Sequence, residues 1–353
     1  MYITSIGMRS ILVNNCNFTA NRLHSQASLG GAVYVIGNGT SLCVRKGTFV
    51  NNTVKLGGGG AIYLHGQHIG ISLVESTFSH NLASYCGVFK IDGFHHQSIN
   101  FTSSNLSYNV ATGIATGNNE GGVICIRNAS ISALNSTFKY NVAAGDAGVI
   151  QAEESRITVQ GCSFDSNTAG RDGGVIFSGF YSTEISVQSS CFTNNEAGDD
   201  GGVIYMGRAG SHVEVNDTIF SCNRANDRGG AIIILGSILE IVESSFENNT
   251  ADKGGVVSAC NSRVTIPPGE LFETNEQVFP FCILYDDKPT TGSHNATTIT
   301  PPIQSNTTFH LISPVKVYIV ASSYSPCPGE FTGELCFTTV SYTHLTLPTI
   351  YSV

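Results

Sequence analysis

Residues 173–200 read GGVIFSGFYSTEISVQSSCFTNNEAGDD, and the pair Gly201-Gly202 begins the same pattern again. Two glycines open the unit. A short apolar run follows, then the alternating segment EISVQ, then a phenylalanine with an asparagine three places on. Outward from this stretch, the phenylalanine column is Phe18, Phe49, Phe78, Phe138, Phe164, Phe192, Phe220, Phe246 and Phe272, with Leu106 in one gap. The asparagine column is Asn21, Asn52, Asn81, Asn109, Asn141, Asn167, Asn195, Asn223, Asn249 and Asn275. The second glycines are Gly31, Gly60, Gly87, Gly122, Gly148, Gly174, Gly202, Gly230 and Gly255, each followed by Ala or Val. Ten units in register over most of a 353-residue chain decide the architecture.

The apolar runs (VIF, ISV, AIII, ITV, VEV) are short and rich in β-branched residues. They alternate with Ser, Thr, Glu and Gln, the period of a half-buried strand. Gly, Asn, Asp and Ser separate them and supply the turns. Each unit is therefore two or three short strands joined by turns. Stacking the units pairs every strand with its equivalents above and below at ~4.8 Å. The columns then have physical roles. Phenylalanines stack inside the coil, and asparagines bond their own backbone and the next coil. Glycine pairs permit a sharp corner and close approach of backbones.

GGA(I/V) followed by FxxN resembles the repeats of bacterial polymorphic outer-membrane proteins and, more broadly, the pectin-lyase-like β-helix superfamily. The matching stretches include GGAVY at 30–34 with FVNN at 49–52, and GGAII at 229–233 with FENN at 246–249. The resemblance spans roughly residues 11–275 and implies an all-β fold: a right-handed, single-stranded parallel β-helix (solenoid) of about ten coils. Handedness also follows the right-handed bias of parallel crossovers. The repeat packs a core, so the resemblance says little about chemistry.

The β-helix is expected over 1–285. The chain opens directly on a strand and a repeat motif with no signal-peptide pattern, so a preceding part of the solenoid is expected. A Thr/Ser/Pro-rich linker is expected over 286–309. The segment 310–339 resembles the opening strand of a second β-helix module, and 340–353 reads as a non-native, adaptor-like tail. Charged residues are 12% of the chain, tryptophan is absent and net charge is −9. Nothing basic is clustered, which argues against nucleic acid as a partner. No apolar run reaches 18 residues, so no transmembrane segment is expected.

Eleven cysteines occur without a zinc-finger spacing. Those inside the repeats, such as Cys16, Cys162, Cys191 and Cys222, read as small buried core residues, although coil geometry can also bring Cys162 near Cys191. Cys327 and Cys336 are the disulfide candidates. Among the Asn-x-Ser/Thr sequons, Asn38, Asn128, Asn295 and Asn306 occupy loop contexts suited to glycosylation, whereas Asn17, beside an inward phenylalanine, is expected to be buried. Sequons and linker favour a secreted or cell-surface protein.

An acidic column precedes the glycine pairs: Asp146, Asp172, Asp199, Asp200, Asp227 and Asp252. Oxygen ligands in line suit calcium; no other cofactor is indicated. Arg171, Arg228 and Lys253 in the same turns offer the alternative of a mixed-sign surface ladder. The Asp199-Asp200 pair resembles the paired aspartates of polygalacturonases, but the companion motifs are absent and no catalytic residue is assigned. Tyr34, Tyr63, Phe89, Phe177 and Tyr205 form either an outward aromatic stripe or more core. The expected function is a non-catalytic extracellular or surface module for adhesion or structure, presenting a repetitive surface to glycans or a surface protein. The alternative is a polysaccharide-active domain, whose loops would emerge at 82–121, the longest interruption.

Overall fold

The computed structural model describes residues 1–5, 9–24, 30–92, 97–113, 122–260, 262–265, 271–273, 279–282 and 317–318. All regular elements among them are strands. They form four parallel sheets with twelve, ten, ten and eight rungs. One coil crosses all four in turn, as in Ile150–Glu153, Arg156–Gln160, Ser163–Asp165 and Thr168–Ala169. The chain is thus a parallel β-solenoid. Eight coils contribute a strand to every sheet; among the described residues two further coils contribute strands to the first three, and Thr250 of the first of these bridges Arg224 of the fourth. The sequence predicts about ten coils; about eight are complete, and the ten rungs of the second and third sheets include two partial ones. Four strands per unit, rather than two or three, arise because the third and fourth are only three and two residues long. Strands that short leave no alternation to detect.

The sequence columns become ladders. Phe164 pairs with Phe192, Phe192 with Phe220 and Phe220 with Phe246 in the third sheet. All four rings are fully buried. They stack nearly parallel, with centroids 4.7, 5.0 and 4.7 Å apart. At Leu106 the stack changes course. Phe89 from the first sheet leans on Phe78 at 4.8 Å and meets Phe101 edge-on at 5.7 Å, and Phe101 meets Phe138 the same way. Aromatic packing therefore continues past the missing ring.

The asparagines are buried and saturated. The Nδ2 of Asn167 donates to Asn195 Oδ1 at 2.9 Å and to the Phe138 carbonyl at 2.9 Å, and the Asn167 backbone N–H also donates to Asn195 Oδ1. The same triplet recurs at Asn52, Asn81, Asn109, Asn141, Asn195 and Asn223. A second ladder runs two places before the phenylalanines. There the backbone N–H of one coil donates to the Oγ of the next through Ser76, Ser104, Ser136 and Ser190. Cys162 takes this place in its own coil, accepting from the Ser136 N–H at 3.4 Å. Both ladders satisfy backbone groups that the turns remove from the sheets.

The two glycines of each pair do different work. The first is left-handed: Gly173, Gly201 and Gly229 have φ of 67°, 67° and 65°. Cys86 and Ala147 occupy the same place at 51° and 56°. The second admits no side chain. A Cβ on Gly174 would meet the Gly202 carbonyl oxygen at 2.1 Å, and one on Gly202 would meet that of Gly230 at 2.1 Å.

Cysteine usage departs from the expectation of a buried core. Cys86 and Cys125 form a disulfide across 39 residues. Cys260 is disulfide-bonded as well. Cys162 is buried, but Cys16, Cys43 and Cys191 are half-buried and Cys222 is exposed, all as free thiols. Cys43, Cys191 and Cys222 lie where side chains point outward, whereas Cys16 stands in the serine-ladder place of the first coil and packs against the core. The linker, the tail, Cys327, Cys336, Asn295 and Asn306 lie outside the described residues. Of the segment 310–339, only Val317–Tyr318 is described, pairing with Phe279–Cys282.

Candidate functional site

The acidic column is where the turn from fourth to first sheet passes over the solenoid. Asp146 is fully buried, and its carboxylate is held by Arg171, Nε to Oδ1 at 2.8 Å and Nη2 to Oδ2 at 2.6 Å. Asp200 is held the same way two coils on, with Arg228 Nη2 to Oδ2 at 2.5 Å. Burial pushes both carboxyls up, and the guanidinium of each pair opposes that shift. Asp172, between them, has no such partner. Its Oδ1 accepts only the Asp200 N–H, at 3.1 Å. Burial, aided by the neighbouring carboxylates, raises its pKa to about 6. Asp227 pairs with Lys253 at 2.8 Å, and Asp252 is exposed. Oxygens of Asp199, Asp200 and Asp227 come within 4.8 Å of one another. The column is thus largely an alternation of carboxylates and guanidiniums, and Asp200 of the Asp199-Asp200 pair is engaged with Arg228.

The aromatic stripe splits. Tyr63, Phe89 and Phe177 are buried, while Tyr34 and Tyr205 are half-buried. Phe177 stacks on Tyr205 at 5.1 Å. Burial, with Asp172 and Asp200 nearby, pushes the Tyr205 phenol up to about 12. A different column, two places after each phenylalanine, is the exposed one. There His80, Tyr108 and Tyr140 stack at 5.1 and 4.9 Å, all three in the left-handed conformation. Val110 and Val142 run alongside in the fourth sheet.

A saddle-shaped concavity of about 800 Å³ lies at the turn from first to second sheet. Its floor is Asn128 to Ser130 and Glu154 to Arg156, with Gln97 and Ser98 on one side and Ser182 to Glu184, Gly210 and His212 on the other. Its origin is visible in the repeat lengths. Phe138 to Phe164 and Phe220 to Phe246 are 26 residues apart, but Phe164 to Phe192 and Phe192 to Phe220 are 28. Registers place the extra two residues in this turn. Gln151 pairs with Phe177 and Arg156 with Glu184, so the chain takes five steps from Gln151 to Arg156 but seven from Phe177 to Glu184. The next coil keeps the longer turn, with Tyr205 opposite Phe177 and His212 opposite Glu184. These two longer turns belong to neighbouring coils and wall the concavity on the side of Ser182 to Glu184, Gly210 and His212, above the shorter turns at Asn128 and Glu154.

Glu153 fixes the first raised turn. Its buried carboxylate accepts the backbone N–H groups of Gly179, Phe180 and Tyr181 at 3.3, 3.2 and 2.8 Å. Burial raises this carboxyl, and those bonds oppose the rise. Arg127 lies over the Tyr181 ring at 4.5 Å. Phe180 is left 57% exposed on this turn, its ring edge-on to Phe177 at 6.2 Å, an unusual exposure for a large ring. In the saddle, Arg156 reaches Glu184 at 2.5 Å. Periodicity finds the solenoid but not this site, whose signal was the change from 26 to 28. Residues 93–96 and 114–121, within the interruption singled out from sequence, lie outside the described residues.

Asn38 and Asn128 are exposed, as glycosylation requires, and Asn128 lines the saddle. Asn17, expected to be buried, is also exposed, because residues flanking the inward phenylalanine point out.

Fold and ladders define a β-solenoid repeat protein. Three of its stretches, residues 46–65, 161–179 and 189–207, are similar to the family described as Chlamydia polymorphic membrane protein (Chlamydia_PMP) repeat. Each matched stretch runs from the third sheet through the asparagine and the glycine pair to the first sheet. No curated protein and no solved structure matches the chain.

Proposed function

We propose that the chain is a non-catalytic module for adhesion or structure, displayed at a cell surface or secreted, which presents its outer face to a glycan or a surface protein. One observation carries this. The repeated residues are used inside, in rings, amides and glycines, while the outer positions vary from coil to coil. Ser130, Arg156, Glu184, His212 and Ile238 occupy one register on the second sheet. A scaffold of that kind holds a surface rigid while its chemistry is free to change. The name of the matching family points to a membrane protein. The Cys86–Cys125 disulfide fits an oxidising compartment. So does the exposed sequon at Asn38, which we take as a glycosylation site.

The test is binding of the purified chain to cells and to immobilised glycans, with turnover followed in parallel. Saturable binding without cleavage supports the module; cleavage of a polysaccharide overturns it. Assays with and without chelator read out any role of Asp199, Asp200 and Asp227.

A further inference from the structure

We propose that the saddle beside the raised turns binds an uncharged oligosaccharide; this rests on the surface-module reading and names its ligand class. The lining decides the chemistry. Ala129 and Gly210 are its only residues without a polar side chain. A protein partner is held mainly by buried apolar anchors seated in pockets, and this floor offers none. It offers hydroxyls from Ser98, Ser130 and Ser182, amides from Gln97 and Asn128, and the Arg156–Glu184 pair. Such groups answer a ligand covered in hydroxyls, each both donor and acceptor.

Charge narrows the class. Glu154 and Glu184 outnumber Arg156, and the whole chain carries −9. A polyanionic glycan would meet like charge at the floor and in the surrounding field. The volume of about 800 Å³ lies within the range of small-ligand sites. From the coil of Ser98 to that of Glu184 are three rungs, or ~14 Å, enough for a short oligosaccharide.

Two further observations point to a ligand. Gln97 is 2% exposed; its Nε2 donates to the Gly66 carbonyl, but its Oε1 has no hydrogen-bond partner. An orphaned buried acceptor is uncommon, and one beside a concavity is met by a hydroxyl or by a bridging water. The Phe180 ring is exposed on the raised turn, two residues before the lining residue Ser182, and Glu153 pins that turn. A pyranose has an apolar C–H face, and a pre-positioned ring takes that face at little entropic cost.

The experiment measures binding of chitotetraose and cellotetraose, with tetragalacturonate as the charged comparison, by calorimetry and saturation-transfer NMR. It uses the full chain, the double variant Arg156→Ala/Glu184→Ala, Phe180→Ala, and Tyr140→Ala as a distant control. The double substitution leaves net charge unchanged and removes only an exposed pair, so the fold is retained. We expect a neutral tetrasaccharide to bind, at least tenfold weaker binding by the double variant, several-fold weaker binding by Phe180→Ala, and no change with Tyr140→Ala. Equal binding by the double variant, or loss with Tyr140→Ala alone, overturns the saddle as the site. Preference for tetragalacturonate overturns the ligand class. Cell binding that persists while neither neutral tetrasaccharide binds overturns this proposal and leaves the surface module standing. Loss of cell binding as well removes both.

Discussion

Asn167 and Asn195 are one coil apart and joined twice: the backbone N–H and the Nδ2 of Asn167 both donate to Asn195 Oδ1, at 3.0 and 2.9 Å. Asn195→Ala therefore strips an acceptor from two buried donors and a donor from the Phe164 carbonyl, which Asn195 Nδ2 reaches at 3.1 Å. Each orphaned group costs about 1–3 kcal/mol. We expect a loss of about 3 kcal/mol, with hydrogen exchange accelerating first in the coils on either side. Urea titration and amide exchange measure the two effects.

Leu106 sits where a phenylalanine would complete the stack, and Phe89 has leaned into that space. Leu106→Phe alone should overpack the coil and destabilise by about 1–3 kcal/mol. Leu106→Phe with Phe89→Val should recover much of that. A double-mutant cycle on denaturation midpoints gives the coupling, and strict additivity would show that Phe89 does not fill the gap.

Asp172 makes folding sensitive to mild acid. Its folded pKa of about 6 lies above the ordinary 3.8, so the native state binds the proton more tightly than the unfolded chain. Stability from this residue is present below the unfolded value and is lost as pH rises from about 4 to about 6. Asp172→Asn should raise stability at pH 7 by on the order of 1 kcal/mol, a figure reduced for partial exposure. It should also flatten the profile across that window. Melting curves from pH 4 to 8 check both.

Reduction of Cys86–Cys125 should cost about 2–4 kcal/mol, since it opens a loop of 39 residues in the unfolded chain. Cys86→Gly should cost somewhat less, because glycine takes the left-handed φ of 51° without strain. Melting temperature with and without reductant distinguishes the contributions.

Glycines that look alike in sequence should respond differently to alanine. Gly202→Ala drives a Cβ to 2.1 Å from a carbonyl oxygen and should prevent coil stacking, whereas Gly70→Ala meets nothing closer than Ser98 Oγ at 3.4 Å. We expect the first to abolish soluble expression and the second to shift stability by less than about 1 kcal/mol.

Much of this was legible in the chain because inward positions repeat. Phe164, Asn167 and Gly174 recur at fixed offsets, and a fixed offset in a stacked coil is a fixed place. The serine ladder was legible in principle, but serine is common in this chain and Cys162 interrupts it. Burial of cysteines misled, because a thiol suits either side of a strand and Cys222 faces out. The Arg171–Asp146 and Arg228–Asp200 pairs lie 25 and 28 residues apart, so the column's signs were visible while its partners were not. The saddle was hardest to see, since it consists of two added residues in a turn that has no signature of its own.

The asparagine triplet has one more consequence. Each amide reaches toward the coil ahead and, through its other hydrogen, toward the one behind, so every coil offers the same complementary pair of faces. Removing or duplicating one whole unit leaves matching faces in contact. Solenoid length is therefore a heritable variable that recombination between repeats can change without inventing any new part, and it can vary independently of what any one coil displays.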